Sequence, residues 1–236
     1  MQRLLMSETR GLLPFATVLL PEQIADRIVD AICIGQIAAS QRLIETELSQ
    51  SLNVSRGPVR EAIRILDSQG IVVSADGRGM RAADFDSLWA EQLLDVRVAI
   101  EQQAALQAAE HLAQNPSLAD DLNAKIDLLE LAQGDWLDVN KADADFHTKV
   151  FELANNRLLL TIWAAISRHV QILFSIESKR DPNFQVVLDD HRLYLEALLS
   201  GNTSQISSEI ISHINKPKLR NRLTKTEPGG RNEQTN

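Results

Sequence analysis

From Pro21 to Ile34 apolar residues recur at helical spacing, with Ile24, Ile28 and Ile32 on one face and Ala25, Val29 and Ala31 beside them. This pattern predicts an amphipathic helix that Gly35 stops. The same period returns from about Ile44 to Leu52 and from Arg56 to Ser68. Between these two, Asn53, Val54 and Ser55 leave room only for a tight turn, with Ser55 as the predicted N-cap. Pro58 falls in the first turn of the third helix, where its missing N–H costs no hydrogen bond. After Gly70 the runs Ile71-Val72-Val73-Ser74 and Gly79-Met80-Arg81-Ala82 flank Asp76-Gly77, a hairpin-turn signal.

Three helices followed by a hairpin predict a winged helix-turn-helix over residues 21–84. Past a linker at Asp84 to Ser87, helical periods run over about 86–113, 117–132, 136–154, 156–178, 184–200 and 203–215. The expected fold class is therefore mainly α: a winged helix-turn-helix (three helices plus a β-hairpin), then an all-α helical-bundle ligand-binding domain over 85–219. Residues 220–236 read as a basic, disordered tail, the polar character setting in at Lys216. Residues 1–20 read as an N-terminal arm that packs on its own protein or on a partner subunit. Its apolar run, Leu12 to Leu20, contains Pro14, is too short to span a bilayer and lacks a cleavage site, so the expectation is a cytoplasmic protein with no membrane partner.

Composition adds two constraints. The single cysteine, Cys33, rules out an intramolecular disulfide and is expected in the core. The net charge of −8 argues against nucleic-acid binding until it is divided along the chain. Up to Asp84 there are 9 basic and 10 acidic residues, against 15 and 22 beyond it, so the acid excess lies outside the candidate DNA-binding region.

In the third helix Val59, Ile63 and Leu66 form an apolar stripe, while Arg56, Arg60 and Arg64, at i, i+4 and i+8, share another face. A helix anchored on one side and basic on the other suits DNA recognition, with Arg56 and Arg60 nearest the N-terminus and Gly57 allowing close backbone approach. From spacing alone, a merely solvated arginine face fits equally well.

The run from Leu52 to Ile63, LNVSRGPVREAI, with Leu66 and Gly70-Ile71 following, resembles the signature of the GntR family of transcription regulators. Arg42-Leu43-Ile44-Glu45 and Gly77-Arg78-Gly79 also fall where that family has its "RLxE" segment and its wing. The resemblance spans Pro21 to Asp84 and implies that Arg56, Gly57 and Arg60 contact operator DNA, with Gly79 near the minor groove and Arg78 close by. Arg64, on the same face, joins the candidate set. Two-fold proteins read two-fold sites, so a homodimer on a pseudo-palindrome is expected. The chain departs from the family at Ala39-Ser40, where Pro-Gly is usual, and at Thr46, an arginine in some members.

All five histidines lie beyond the linker. Asp143 and His147 stand at i and i+4 on one helix face, a spacing that lets a carboxylate and an imidazole share a metal, while Asp145 points elsewhere. His191 and His213 fall on later helices, so such a site would draw on three helices of a bundle. Scattered polar histidines are the competing reading. The segments around Asp143-Ala144-Asp145-Phe146-His147, Asn156, Asp190-His191-Arg192 and Ser212-His213-Ile214, with Val96 to Glu101, resemble the FCD-type sensing domain of one GntR branch, from Asp86 to Leu219. That resemblance implies a divalent metal on Asp143, His147, His191 and His213.

Three imidazoles and a carboxylate suit Zn²⁺ or Ni²⁺, with Mn²⁺ also compatible. A small carboxylate effector could complete the coordination, and Arg97 could pair with its remaining oxygens. Arg97 could equally form an i, i+4 salt bridge to Glu101. His111 has no partner at ligand spacing, and His169 matches no ligand position and is expected to line the cavity. Two further readings remain: a regulator with a structural metal and an apolar or acyl effector, and a metal-dependent helical enzyme. Effector identity, operator sequence and the choice between activation and repression do not follow from the chain.

Overall fold

The computed structural model describes residues 20–75 and 79–224, with side chains as far as residue 215. The arm before Leu20, the turn residues Asp76, Gly77 and Arg78, and the tail from residue 225 lie outside the described residues.

The N-terminal unit is built from α1 (Leu20–Cys33), α2 (Glu45–Ser51) and α3 (Arg56–Ser68). Ile24, Ile28, Val29 and Ile32 of α1 pack against Val59, Ile63 and Leu66 of α3, and Cys33 is in this core as expected. Gly70, at φ 77°, turns the chain out of α3. The strands β1 (Arg42–Leu43), β2 (Val72–Ser74) and β3 (Met80–Ala82) form an antiparallel sheet in the order β1-β3-β2. β1 was not predicted, since two residues are too few to show alternation; it pairs Leu43 with Met80.

Two local expectations need correction or explanation. Ser55 does occupy the N-cap position of α3 in extended backbone, but its side chain accepts no capping hydrogen bond. A cap bonds the second or third helical N–H, and Pro58 at the third position has none. At the Ala39-Ser40 departure, Ser40 adopts φ 62°, a left-handed conformation that costs a non-glycine residue about 1–2 kcal/mol. Its hydroxyl donates to Asp84 Oδ1 and accepts from Arg81 Nη1 at 2.9 Å, which ties the turn to the end of the domain and offsets that strain.

The second unit is a bundle of α4 (Ser87–Gln114), α5 (Ala119–Leu131), α6 (Trp136–Leu153), α7 (Arg157–Arg180), α8 (Phe184–Ser200) and α9 (Thr203–Thr224). Side-chain caps set the starts of five of them: Asp86 accepts from Trp89 N, Asp135 from Leu137 N, Asn156 from Leu158 N and Leu159 N, Asn183 from Val186 N, and Asn202 from Ser204 N and Gln205 N. α4 runs through the middle, and its buried alanines 104, 105, 108 and 109 give neighbouring helices close access. α9 extends beyond the predicted end at 215, through Pro217 to Thr224, overlapping the region read as disordered tail. Lys218, Leu219, Arg220 and Arg222 are good helix formers, so the polar character that sets in at Lys216 does not end the helix.

α7 joins the two units. Its Leu173 is in the bundle core, whereas the adjacent Ile172, 1% exposed, is in the core of the N-terminal unit. α7 is also, among the described residues, a helix long and apolar enough to cross a membrane, but its place between two packed cores accounts for that composition. We expect Ile172→Ala to cost about 2–5 kcal/mol. Denaturant unfolding followed separately in each unit should show their transitions moving apart; a coincident pair at wild-type stability would mean that α7 does not couple the cores.

Candidate functional site

α3 presents Arg56, Arg60 and Arg64 to solvent while Val59, Ala62, Ile63 and Leu66 are buried beneath. Arg60 does not wave freely: its Nε and Nη2 donate to the two carboxylate oxygens of Glu45, at 3.2 and 2.9 Å. Arg56 Nη2 reaches the same carboxylate at 3.3 Å. The hydrogen bond from Arg60 is the main reason that the Glu45 carboxyl lies below its usual range, and the same contact raises Arg60. Arg64 instead turns to Glu61 on its own helix, at 2.7 Å. α3, β1 and the start of β3 enclose a concave surface lined by Arg42, Glu45, Thr46, Arg56, Arg60 and Gly79. Gly79 has φ 96°, a conformation that calls for glycine, although a Cβ there would meet only the flexible Arg42 guanidinium, at 3.4 Å. Among the described residues nothing would meet a Cβ on Gly57, so their packing does not explain that glycine.

In the bundle, His147 from α6, His191 from α8 and His213 from α9 bring ring nitrogens within 4.8 Å of one another. His147 Nε2 and His213 Nε2 are 3.3 Å apart, and His191 Nε2 lies 3.3 Å from Asp143 Oδ1. What stands behind the rings decides their protonation. His191 Nδ1 is 2.8 Å from the Val187 carbonyl, which can only accept, so Nδ1 carries a proton and Nε2 is the nitrogen turned toward Asp143. His147 Nδ1 lies 2.8 Å from Glu101 Oε2, which turns its Nε2 toward His213. His191 Nε2 is buried without a hydrogen-bond donor to satisfy it. Three imidazoles gathered in one place, two of them with an acceptor behind the ring, fit a divalent cation. Asp143, i−4 to His147, lines the same cavity, while Asp145 is exposed and pairs with Lys125 at 3.2 Å.

The cavity beside the triad measures about 110 Å³. Arg97 lines it and also forms the i, i+4 bridge, with Nε 2.6 Å from Glu101 Oε1; the two readings of Arg97 prove compatible. Glu177, Asp181 and Asp190 join Asp143 as the acidic members of the lining, and Trp136, Leu173, Phe174, Val187 and Ile214 give the cavity apolar walls. Burial alone would raise the carboxyls of Glu101 and Asp143. Arg97 and His147 overcome it at Glu101, which falls to about 2, and His191, His147 and Arg97 together lower Asp143.

A profile of the bacterial regulatory proteins of the gntR family matches residues 20–81, and a profile of the FCD domain matches residues 92–216. The chain belongs to the GntR family and carries an FCD domain. The gluconate operon transcriptional repressor of Bacillus licheniformis is 25% identical over 171 residues, covering 70% of this chain and 69% of that protein. A protein of Paenarthrobacter nicotinovorans named "Probable D-xylose utilization operon transcriptional repressor" is 26% identical over 194 residues, 81% of this chain and 84% of its own. Among solved structures, E. coli McbR/YncC shares the fold with a TM-score of 0.72 at 18% identity, covering 89% of this chain and all of that one. This GntR chain is thus a DNA-binding transcription regulator and not an enzyme, which removes the catalytic reading of its histidines.

Sequence reasoning missed three residues of these sites. Glu101 was seen only as a partner for Arg97, although a carboxylate with no exposed surface also orients His147. Glu45 and Arg42 were read as parts of a family segment, and only the folded sheet places them beside α3. One expectation is corrected: His169 does not line the cavity but stands between the domains, with Nε2 2.7 Å from the Gln69 carbonyl and Nδ1 3.2 Å from Trp89 Nε1. His111 bonds the Leu153 carbonyl, as an ordinary structural histidine would.

Glu101→Gln would leave the Arg97 charge buried without a counter-charge and loosen His147. We expect it to destabilise the fold by about 3–5 kcal/mol and to weaken Zn²⁺ binding on the order of 10–100-fold. Chemical denaturation and a competitive chelator titration would read the two effects; wild-type values in both would detach Glu101 from the site.

Proposed function

We propose that this regulator is a homodimeric, cytoplasmic repressor whose winged helix-turn-helix, residues 21–84, reads a pseudo-palindromic operator. Its FCD domain, residues 85–219, senses a small carboxylate at a divalent metal held by Asp143, His147, His191 and His213. The observation that carries the metal reading is the convergence of three imidazoles within 4.8 Å, two of them buried and backed by an acceptor at Nδ1. The donor set suits Zn²⁺ or Ni²⁺, and Mn²⁺ is compatible with it. Bound there, the ion would supply a Lewis-acid contact for a carboxylate oxygen.

Arg97 supports the effector class, since its guanidinium lines the cavity although one edge is spent on Glu101. The acidic side chains in the cavity wall make anion binding dependent on the metal, because four carboxylates repel an anion and Arg97 is already paired with Glu101. An operon for gluconate, a hydroxy acid, is named for one relative, which also supports repression.

For DNA, we assign contact roles to Arg56, Gly57, Arg60 and Arg64 on α3 and to Arg78 and Gly79 in the wing, Arg78 lying outside the described residues. Exposed apolar residues on α4, Leu88 and Val96, and on α7, Leu158 and Ile162, favour a second subunit as partner.

Replacing Arg56 or Arg60 with alanine should weaken operator binding by about 1–3 kcal/mol each without loss of fold. Electrophoretic mobility shift at fixed salt measures this, and unchanged affinity in both variants would remove the assignment. L-Lactate and D-gluconate titrated calorimetrically into Zn²⁺-loaded and metal-stripped protein should show binding of at least one acid only to the loaded form. Linkage then requires that acid to bind the DNA-complexed protein more weakly, by about 1–3 kcal/mol. Equal affinity with and without metal would exclude the metal as the sensor.

A further inference from the structure

We propose that neutral His169 is the positioning residue through which the sensing domain holds the DNA-reading helix. The inference rests on the reading that α3 contacts the operator and that the FCD domain governs it. α7 has two working faces: Phe174, Glu177 and Ser178 line the metal cavity, while Arg168, His169 and Ile172 face the N-terminal domain. A shift of α7 at the cavity therefore reaches α3 with few intermediates.

His169 makes two bonds of opposite sense. Its Nε2 is 2.7 Å from the backbone carbonyl of Gln69, the C-cap residue of α3. A carbonyl only accepts, so Nε2 must carry a proton. Trp89, in the first turn of α4, donates its indole N–H to His169 Nδ1 at 3.2 Å. An indole N–H only donates, so Nδ1 must be bare. One protonation state satisfies both: the neutral ring with its proton on Nε2. A second proton would set an N–H of His169 against that of Trp89 and break the link between α4 and the end of α3.

Arg168 completes the clamp with ion pairs to Glu22 and Asp26 of α1, at 2.6 and 2.8 Å, and a hydrogen bond to Gln69 Oε1 at 3.2 Å. The ionisable groups around His169 are thus Arg168 on its own helix, Glu22 and Asp26 on α1, both engaged by Arg168, and Asp86 on α4, which caps Trp89 N. α3 contributes the neutral Gln69. Burial pushes the His169 pKa below its usual value, opposed in part by the Gln69 carbonyl. The neutral form is the one that docks, so the clamp is complete above about pH 6.5, the unfolded value, and is lost as pH falls through the lowered folded value.

The test compares full-length wild type with His169→Gln and Trp89→Phe. A glutamine amide offers a donor and an acceptor at every pH, so it should keep the clamp and lose its pH dependence. Nitrogen-15 NMR at pH 7.5 should find His169 neutral with Nε2 protonated. Scanning calorimetry without DNA should give wild type one transition at pH 7.5 that separates into two on acidification. His169→Gln should keep one transition to lower pH, and Trp89→Phe should separate at higher pH than wild type. The metal-site residues are the same in all three proteins, so the differences isolate His169. On operators selected from random DNA by the wild type, affinity between pH 7.5 and 5.5 should fall about tenfold more for wild type than for His169→Gln, a one-unit linkage effect.

An Nδ1-protonated tautomer, or His169→Gln following the wild-type pH profile, would overturn the proposal. Wild type that selects no DNA would refute the functional reading instead, while the NMR and calorimetric results would still decide the role of His169.

Discussion

Glu101 holds a negative charge at a point in the bundle with no solvent contact, and much of the C-terminal domain is arranged around that charge. An isolated carboxylate there would take up a proton and stay neutral. It remains ionised because Arg97, one turn back on α4, gives it a guanidinium at 2.6 Å and His147 gives it a ring N–H at 2.8 Å. Each partner is then committed. Arg97 is drawn into the cavity wall, and His147 is locked with its Nε2 facing His213. A helix interior with no buried acid would leave the His147 ring free to adopt either tautomer, and the triad would lose its common focus. The buried pair need not stabilise the fold in total; it specifies the site.

The second constraint is that one helix serves two cores. Adjacent residues of α7 belong to different domains, Ile172 to the N-terminal core and Leu173 to the bundle. Around this seam lie polar ties of high geometric demand: Arg168 to Glu22 and Asp26, Lys141 to Asp30 at 3.0 Å, and Asn140 Nδ2 to the Gln171 carbonyl at 2.8 Å. Ile172, Trp89, Leu137 and Ile176 supply the apolar part of this seam, and the directional bonds around them select its register. A set of polar ties that can be exchanged suits a regulator, which must favour two arrangements of similar free energy.

The elements with long hydrophobic periods were legible in the sequence almost to the residue; α3 and α8 start and stop where their pattern does. β1 was not, because its two residues become a strand only by pairing with β3. The histidine cluster was foreseen through family resemblance, since spacing alone joined only Asp143 to His147. The roles of Glu101, Glu45 and His169 were hidden for a common reason. Each acts on a residue from another element, Glu45 lying 15 positions from Arg60 and His169 lying 100 from Gln69. No local periodicity encodes such pairs, and an alternative partner close in sequence, as Glu101 is to Arg97, reads as a complete explanation.

Glu45 also bears on how a domain with almost no net positive charge reads DNA. Two of the arginines proposed to read DNA, Arg56 and Arg60, share one carboxylate, so the potential that they present to phosphate is weakened. The same carboxylate holds both Arg60 nitrogens in one plane and fixes the Arg56 tip beside them. Ordering a free arginine on binding costs up to about 2 kcal/mol of rotamer entropy, and here part of that ordering exists before DNA arrives. A phosphate offers either guanidinium little more than Glu45 does, because one anion merely replaces another. A guanine edge in the groove differs, since it can bond the guanidinium edge that Glu45 leaves open and keep the ion pair intact. The arrangement thus trades non-specific affinity for discrimination among bases, which fits a regulator whose acidic second domain adds nothing to attraction for the duplex.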